Sequence, residues 1–396
     1  MSTMRLLRDH PVVPGERWVY SAGFNVGPAL TDTGRIDTEL DDLRGLAVAG
    51  ARVALLSHQG SAKDGTARHL DYLAGYLGRC LGQEVRYLPA CSSRQAQSWA
   101  AELRDGEIAL FGNVRLEAGE ERGDRELAAA LARLGDRVAV GGFSKAHRRH
   151  ASNVGILAFL PGYAASSLLG ETELLRPWAA GGGAAGGRTA GSVAVLGGVK
   201  AEKTAVGLES LTRAYDVVIP GGAVLNTLLA VSGHAIGDSE LGTEAERCAA
   251  VARTVLGRRN RARIHLPRTV LIAGPEGATR TVDVEKGVPD GWAIVDFDLE
   301  RWAVDAVREA DRVLMAGTPG RHAEGNHRAA AAVLGAREPG EPHTLLLGGD
   351  TVAELPWTGP RSTGGGSALH YLADGTCAVI EALEDNRKNG VGDHAA

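Results

Sequence analysis

Two glycine-rich turns near the C-terminus, Leu347-Gly348-Gly349-Asp350-Thr351 and Ser362-Thr363-Gly364-Gly365-Gly366, have the composition of a two-part phosphate cradle. Each follows an apolar or mixed run and opens a helical pattern, so the free N–H groups of a starting helix would face an anion there. Glycine lets that backbone approach closely. Leu196-Gly197-Gly198-Val199-Lys200 is a third turn of the kind, with one lysine able to meet a phosphate as a point charge. Pro220-Gly221-Gly222-Ala223 is a fourth, open enough for a flat ring to lie against the backbone. The Walker A spacing is absent, which disfavours a P-loop enzyme, and no G-x-G-x-x-G fingerprint occurs in a clean strand-to-helix setting.

The first half carries a different chemistry. Its apolar runs end in Ser21-Ala22-Gly23-Phe24-Asn25-Val26, Ser57-His58-Gln59-Gly60, Gly112-Asn113-Val114-Arg115 and Gly142-Phe143-Ser144-Lys145-Ala146-His147-Arg148-Arg149-His150-Ala151-Ser152, with Gly34-Arg35-Ile36 between the first two. Histidines and arginines on several loops of one sheet edge would converge into a compact anion site, because guanidinium forks match phosphate and carboxylate.

The elements that position these residues read as a parallel α/β protein. Short apolar runs at 52–56, 107–111, 137–140, 192–196, 217–219, 269–272, 293–295, 312–315 and 344–347 alternate with amphipathic stretches such as 66–81 and 125–134. In such sheets ligands sit beyond the carboxyl ends of the strands, where all the loops above fall. The length of 396 residues suggests two domains, and residues 179–191, nearly all Gly and Ala around Arg188, read as the connection between them. The expected division is residues 1–175, a linker at 176–191, and residues 192–375.

With 43 basic against 48 acidic residues the net charge is -5, which argues against a general nucleic-acid or anionic-membrane binder. Cys80, Cys91, Cys248 and Cys377 are scattered without metal-ligand or disulfide spacing, which fits a reduced compartment. Residues 1–16 lack an apolar signal core and no membrane-length apolar run occurs, so a cytoplasmic protein is expected.

Taken in chain order, these segments resemble the phosphoglycerate kinase family over nearly the whole sequence. The resemblance implies two doubly wound, Rossmann-like parallel-sheet domains joined by a hinge, with the tail 376–396 packed back on the first. It implies ATP/ADP and Mg2+, and transfer of the ATP γ-phosphoryl group to a carboxylate of 3-phosphoglycerate or a related small anionic acid, by a monomer whose hinge closes. Carried over, Asn25, Arg35, His58, Arg115, His147 and Arg148 would hold the acid, and Arg35 and Lys200 would flank the transferring group. Thr351 and the helix starts at Gly349 and Gly364 to Gly366 would bind the phosphates, Gly349 and Gly365 counting among the catalytic positions, and Gly198, Lys200, Thr204 and Asp350 would belong to the nucleotide site. Gly221 and Gly222 would line the adenine pocket, Gly320 and Glu324 would meet the nucleotide from their own loop, and Asp350 would take the metal.

The departures cluster at the acid site. Where the family has Arg-x-Asp before Phe-Asn, this chain has Ser21 and Gly23; Ser61 stands for an arginine, Gly142 for an aspartate, and the second lysine of the nucleotide side falls on Thr204, beside Lys203. The family's Asn-Gly-Pro-Val-Gly-x-Phe-Glu loop reads Ala316-Gly317-Thr318-Pro319-Gly320-Arg321-His322-Ala323 here, keeping the two glycines and displacing Glu324 by one. Arg149 is an additional cation expected to offset part of the lost charge. These losses weaken the expectation for 3-phosphoglycerate itself and make another small anionic acid an equal expectation as acceptor, and a catalytically silent, nucleotide- or partner-binding paralogue is the alternative.

Overall fold

The computed structural model describes residues 4–179, 191–259 and 262–391. The expected connection is therefore outside the described residues over 180–190. The chain divides into two compact units, one of residues Met1–Glu173 with Cys377–Ala396, the other Leu174–Thr376.

The first unit is built on six parallel strands: β1 (Arg17–Ser21), β2 (Arg52–Leu56), β3 (Val85–Leu88), β4 (Ile108–Phe111), β5 (Arg137–Val140) and β6 (Gly162–Ala164), in the order β3-β4-β2-β1-β5-β6. All five pairings are parallel. The strands are near-continuous apolar runs because helices cover both faces. Trp18, Tyr20, Leu55 and Leu110 are fully buried in the core, with Phe24 and Ile36 from the loops beyond β1. The helix expected over 66–81 spans only Asp71–Leu81, ending at Gly82 with φ +71°, and residues 66–70 close a loop instead. The helix Ala378–Lys388 belongs to this unit: Asn386 Nδ2 donates to the carbonyls of Leu157 and Leu160, and its Oδ1 accepts from Gly162 N.

The second unit has β7 (Ser192–Leu196), β8 (Val217–Pro220), β9 (Arg263–Ile264), β10 (Thr269–Ala273), β11 (Thr279–Asp283), β12 (Ala293–Phe297), β13 (Arg312–Ala316), β14 (Thr344–Leu347) and β15 (Arg361–Ser362). Six of these form a parallel sheet in the order β15-β14-β13-β7-β8-β9. The runs at 269–272 and 293–295 correct the all-parallel expectation: with β11 they form a separate antiparallel sheet, β11-β10-β12. The reason is chain length. Only the short turn Pro275–Gly277 joins β10 to β11, whereas a parallel return needs a dozen or more residues. β11, polar and largely exposed, gave no apolar signal in the sequence.

Candidate active site

In the first sheet, β1 leads away to β2 on one side and β5 leads to β6 on the other, so the loops leaving these neighbours diverge and open a crevice at their carboxyl ends. The loops touch backbone to backbone: a Cβ on Gly23 would lie 2.9 Å from Gly142 Cα, and one on Gly142, where φ is +70°, 2.5 Å from Gly23 N. Into this corner β5's loop sends Lys145, whose Nζ donates to Ser21 Oγ at 2.5 Å and to the Ser21 carbonyl at 2.9 Å.

Around it stand the loops of the neighbouring strands. Asn25 is exposed at φ 44°, a conformation asparagine tolerates; its N–H donates to the His58 carbonyl at 2.9 Å and its Oδ1 accepts from Gly60 N at 3.1 Å. Asn113 ties the β4 loop to the β2 loop, its Nδ2 donating to Gln59 O and Arg68 O and its Oδ1 accepting from Arg115 N. Arg115 is buried and paired with Glu121. Asn153 Nδ2 donates to the carbonyls of Lys145 and Arg148 and fixes that turn, while Arg148 Nε donates to His147 Nε2 at 3.3 Å. Arg35 is half-buried in the short helix Gly34–Asp37 that Ile36 anchors, and its guanidinium has no hydrogen-bond or ion-pair partner among the described residues.

The charge states follow from burial. His58 is held well below the ordinary imidazole value by desolvation, then by the fields of Arg115, Lys145 and Arg148. His150 is pushed down to about 3 by the same causes, although Glu120 Oε1 lies 3.7 Å from its Nδ1. Lys145 is lowered to about 8, burial outweighing the attraction of Glu120 and Glu39. Neutral imidazoles beside cations make a corner suited to an anion. Arg149 is not part of it: its guanidinium pairs with Glu381 at 2.7 Å on the exposed surface, so the expected compensation does not come from this residue. The extra buried cation is Lys145, from the same run, to which the sequence alone assigns no role.

In the second sheet the corresponding divergence is between β7 and β13. A Cβ on Gly197 would lie 2.1 Å from Thr318 O, one on Gly317 (φ +109°) 2.2 Å from Gly197 O, one on Gly221 2.3 Å from Pro319 Cα, and one on Gly222 3.0 Å from Gly198 N. Three loops thus meet through bare backbone, which only glycine allows. Above them Lys200 Nζ lies 3.1 Å from Asp350 Oδ2, both side chains being mostly exposed. Lys203 Nζ donates to Ala316 O at 3.0 Å at the end of β13, and burial, then repulsion from Lys200, lowers it to about 8. Lys203 opens a π-helical segment, Lys203–Leu208, in which Thr204 is buried.

The paired cradle has a common strut in Ser362, whose carbonyl accepts from Gly348 N at 2.9 Å and whose Oγ accepts from Gly364 N at 3.1 Å. The helices Gly349–Glu354 and Gly365–Asp374 start beside it, with open space where a Cβ on Gly349 or Gly365 would go; Thr351 is buried. Gly320 packs on Asp296, and Glu324 is tied to Arg321 at 3.5 Å on the surface. Among the described residues Asp350 has Lys200 as its ion-pair partner and no cluster of three metal-binding side chains occurs. One exposed carboxylate at a glycine-rich helix start fits Mg2+, which keeps waters and substrate oxygens as most of its ligands.

Two parallel α/β units, one with a cationic corner and the other with a glycine cradle at its strand-order reversal, define a class: a two-unit phosphotransferase fold. The family profile described as phosphoglycerate kinase matches residues 15–386. A phosphoglycerate kinase of Rhizorhabdus wittichii is 32% identical, covering 96% of this chain and 99% of its own. One of Thermus thermophilus is 32% identical over 93% of this chain and 97% of its own. The solved phosphoglycerate kinase structures of Pyrococcus horikoshii (TM-score 0.75, 22% identity, covering 97% of this chain and all of that one) and Coxiella burnetii (0.72, 23%, 98% and all) share the fold. The chain belongs to the phosphoglycerate kinase family. It is a kinase that transfers a phosphoryl group to a carboxylate, and ATP/ADP with Mg2+ is the general requirement of that family.

Proposed function

We propose that the first unit holds the acid and the second the nucleotide, and that the acceptor is 3-phosphoglycerate or a related small anionic acid. The observation that carries this division is the contrast between the two strand-order reversals: cations with neutral imidazoles at β1/β5, bare glycine backbone with Lys200 and Asp350 at β7/β13. Asn25, His58, Arg115, His147 and Arg148 surround the acid, and Arg35, unpartnered, reaches both its carboxylate and the incoming phosphoryl group. Lys200 exchanges Asp350 for phosphate oxygens, which frees Asp350 to hold Mg2+. The metal, when bound, neutralises phosphate charge. Gly198, Gly349, Gly365 and Thr351 offer backbone to the phosphates, Gly221 and Gly222 lie under the base, and Gly320 with Glu324 borders the ribose; Thr204 acts from behind this surface. Phosphoryl transfer needs positioning and positive charge more than covalent help, which this inventory supplies.

The chain acts as a monomer in the cytoplasm on this reading, in keeping with four cysteines that are all free. No helix among the described residues is long and apolar enough to cross a membrane. The test is a coupled assay of ADP release from Mg-ATP against 3-phosphoglycerate and a panel of small carboxylic acids, phosphorylated, phosphonylated and plain, with hydroxylamine trapping of the acyl phosphate. Turnover that Arg35→Ala and Lys200→Ala both abolish is expected. ATP binding without transfer to any acid would overturn the proposal.

A further inference from the structure

Lys145 is a buried cation that feels the fields of Glu120 and Glu39 but has neither at ion-pair distance among the described residues. It is 4% exposed, both hydrogen bonds of its ammonium end on the neutral Ser21, and it makes no ion pair among the described residues. The two buried carboxylates whose fields reach it are already committed. Glu39 accepts from Tyr20 Oη at 2.5 Å and Gly142 N at 2.7 Å, and Glu120 accepts from Ser152 N at 3.0 Å and Ser152 Oγ at 2.6 Å. Burying an ammonium on neutral partners is unfavourable, so such a group persists where an arriving anion completes it.

Its place is specific. Ser21 ends β1 and Lys145 follows β5, the two strands whose connections diverge, and this is where a sheet of this kind receives its ligand. The family departures at Ser21, Gly23 and Gly142 belong to the same corner. Gly142's backbone stands where a side chain on residue 23 would begin, and a Cβ on Gly142 would also crowd Lys145 Cε at 3.2 Å. The glycines thus make room for the lysine, and the lysine covers the serine.

We propose that Lys145 is the specificity-determining cation of the acid site in this chain, delivered from the β5 loop onto Ser21 to receive an anionic oxygen of the small carboxylic acid substrate. This rests on the assignment of the acid to the first unit. An ammonium is a point charge with rotatable donors, where an arginine from β1 would be a planar fork. The corner therefore selects acids by charge at one point rather than by bidentate geometry.

The experiment compares full-length wild type, Lys145→Met and the relocation variant Ser21→Arg/Lys145→Ala. It measures KM for acid and for ATP, kcat, Tm, and calorimetric binding of 3-phosphoglycerate and the acid panel without nucleotide. Loss of a charge-assisted contact to the acid should raise its KM and weaken its binding about ten- to a hundredfold, with KM for ATP within about twofold. Tm should stay level or rise in Lys145→Met, since an unpaired buried charge is removed. The relocation variant should recover binding and reorder preference among the acids. A lysine that merely balances Glu39 and Glu120 would instead lower Tm when removed and leave acid KM unchanged, and that result overturns the proposal. If wild type turns over an acid, Arg35→Ala abolishes it and Lys145→Met does not affect it, this inference fails while the acid-site assignment stands. If wild type neither binds nor phosphorylates any acid, both fail.

Discussion

Gly349→Ala separates a glycine needed by the fold from one needed by a ligand. Nothing lies within 4 Å of a Cβ at this position, and the residue is the first of its helix and not at positive φ. Gly→Ala at a compatible site stabilises by about 0.4–1 kcal/mol, chiefly by restricting the unfolded chain. For a unit of this size that is about 1–4 °C in Tm. If phosphate oxygens approach the bare backbone here, the same methyl pushes them away. Losing one charge-assisted hydrogen bond of about 1.5–3 kcal/mol then lowers kcat/KM for ATP about ten- to a hundredfold. The control is Gly237→Ala, where φ is +54° and an added Cβ would meet the carbonyl oxygens of Pro289 and Trp292, each at 2.4 Å. That crowding of backbone on backbone should cost about 1–3 kcal/mol and lower Tm. Thermal unfolding and ATP saturation kinetics on both variants decide it. An unchanged KM for ATP in Gly349→Ala would refute the phosphate cradle at this helix start.

Arg35→Ala should lower kcat by about three or more orders of magnitude, as removing an arginine from a phosphoryl-transfer centre does, with Tm scarcely moved because the Arg35 guanidinium has no partner to lose; a large fall in Tm would mark a structural role. His58 and His150 bind protons in the unfolded chain near pH 6.5 but not in the folded one until far lower, about pH 3 for His150. The unfolded state therefore holds more protons in that window, and stability should fall as pH drops from 6.5, by about 1.4 kcal/mol per unit per histidine. Denaturant unfolding at stepped pH checks this, and His150→Gln should flatten the profile. Arg149→Ala should leave acid KM unchanged and stability within about 0.5 kcal/mol, since its pair with Glu381 is exposed on both sides; a raised acid KM would return Arg149 to the site.

The chain's local content was legible in the sequence. The apolar runs 52–56, 137–140, 192–196 and 344–347 are strands with the same limits, because short β-rich runs between glycine turns have few other options. The turns at Gly197-Gly198, Gly221-Gly222 and Gly348-Gly349 stood out for the same reason. The antiparallel sheet was hidden because β11 is polar, and its neighbours read alike whichever way they pair.

The charges were decided elsewhere. In sequence Lys145 and Arg149 are equivalent basic residues of one short run. The sheet order sets β5 against β1, so Lys145 is carried onto Ser21, 124 positions away, and buried. Arg149 meets Glu381, 232 positions away, and stays in water. Composition and motif fix which groups a chain carries near its strand ends. Which of them lose their hydration, and so become able to hold an anion strongly, depends on neighbours supplied by the tertiary fold.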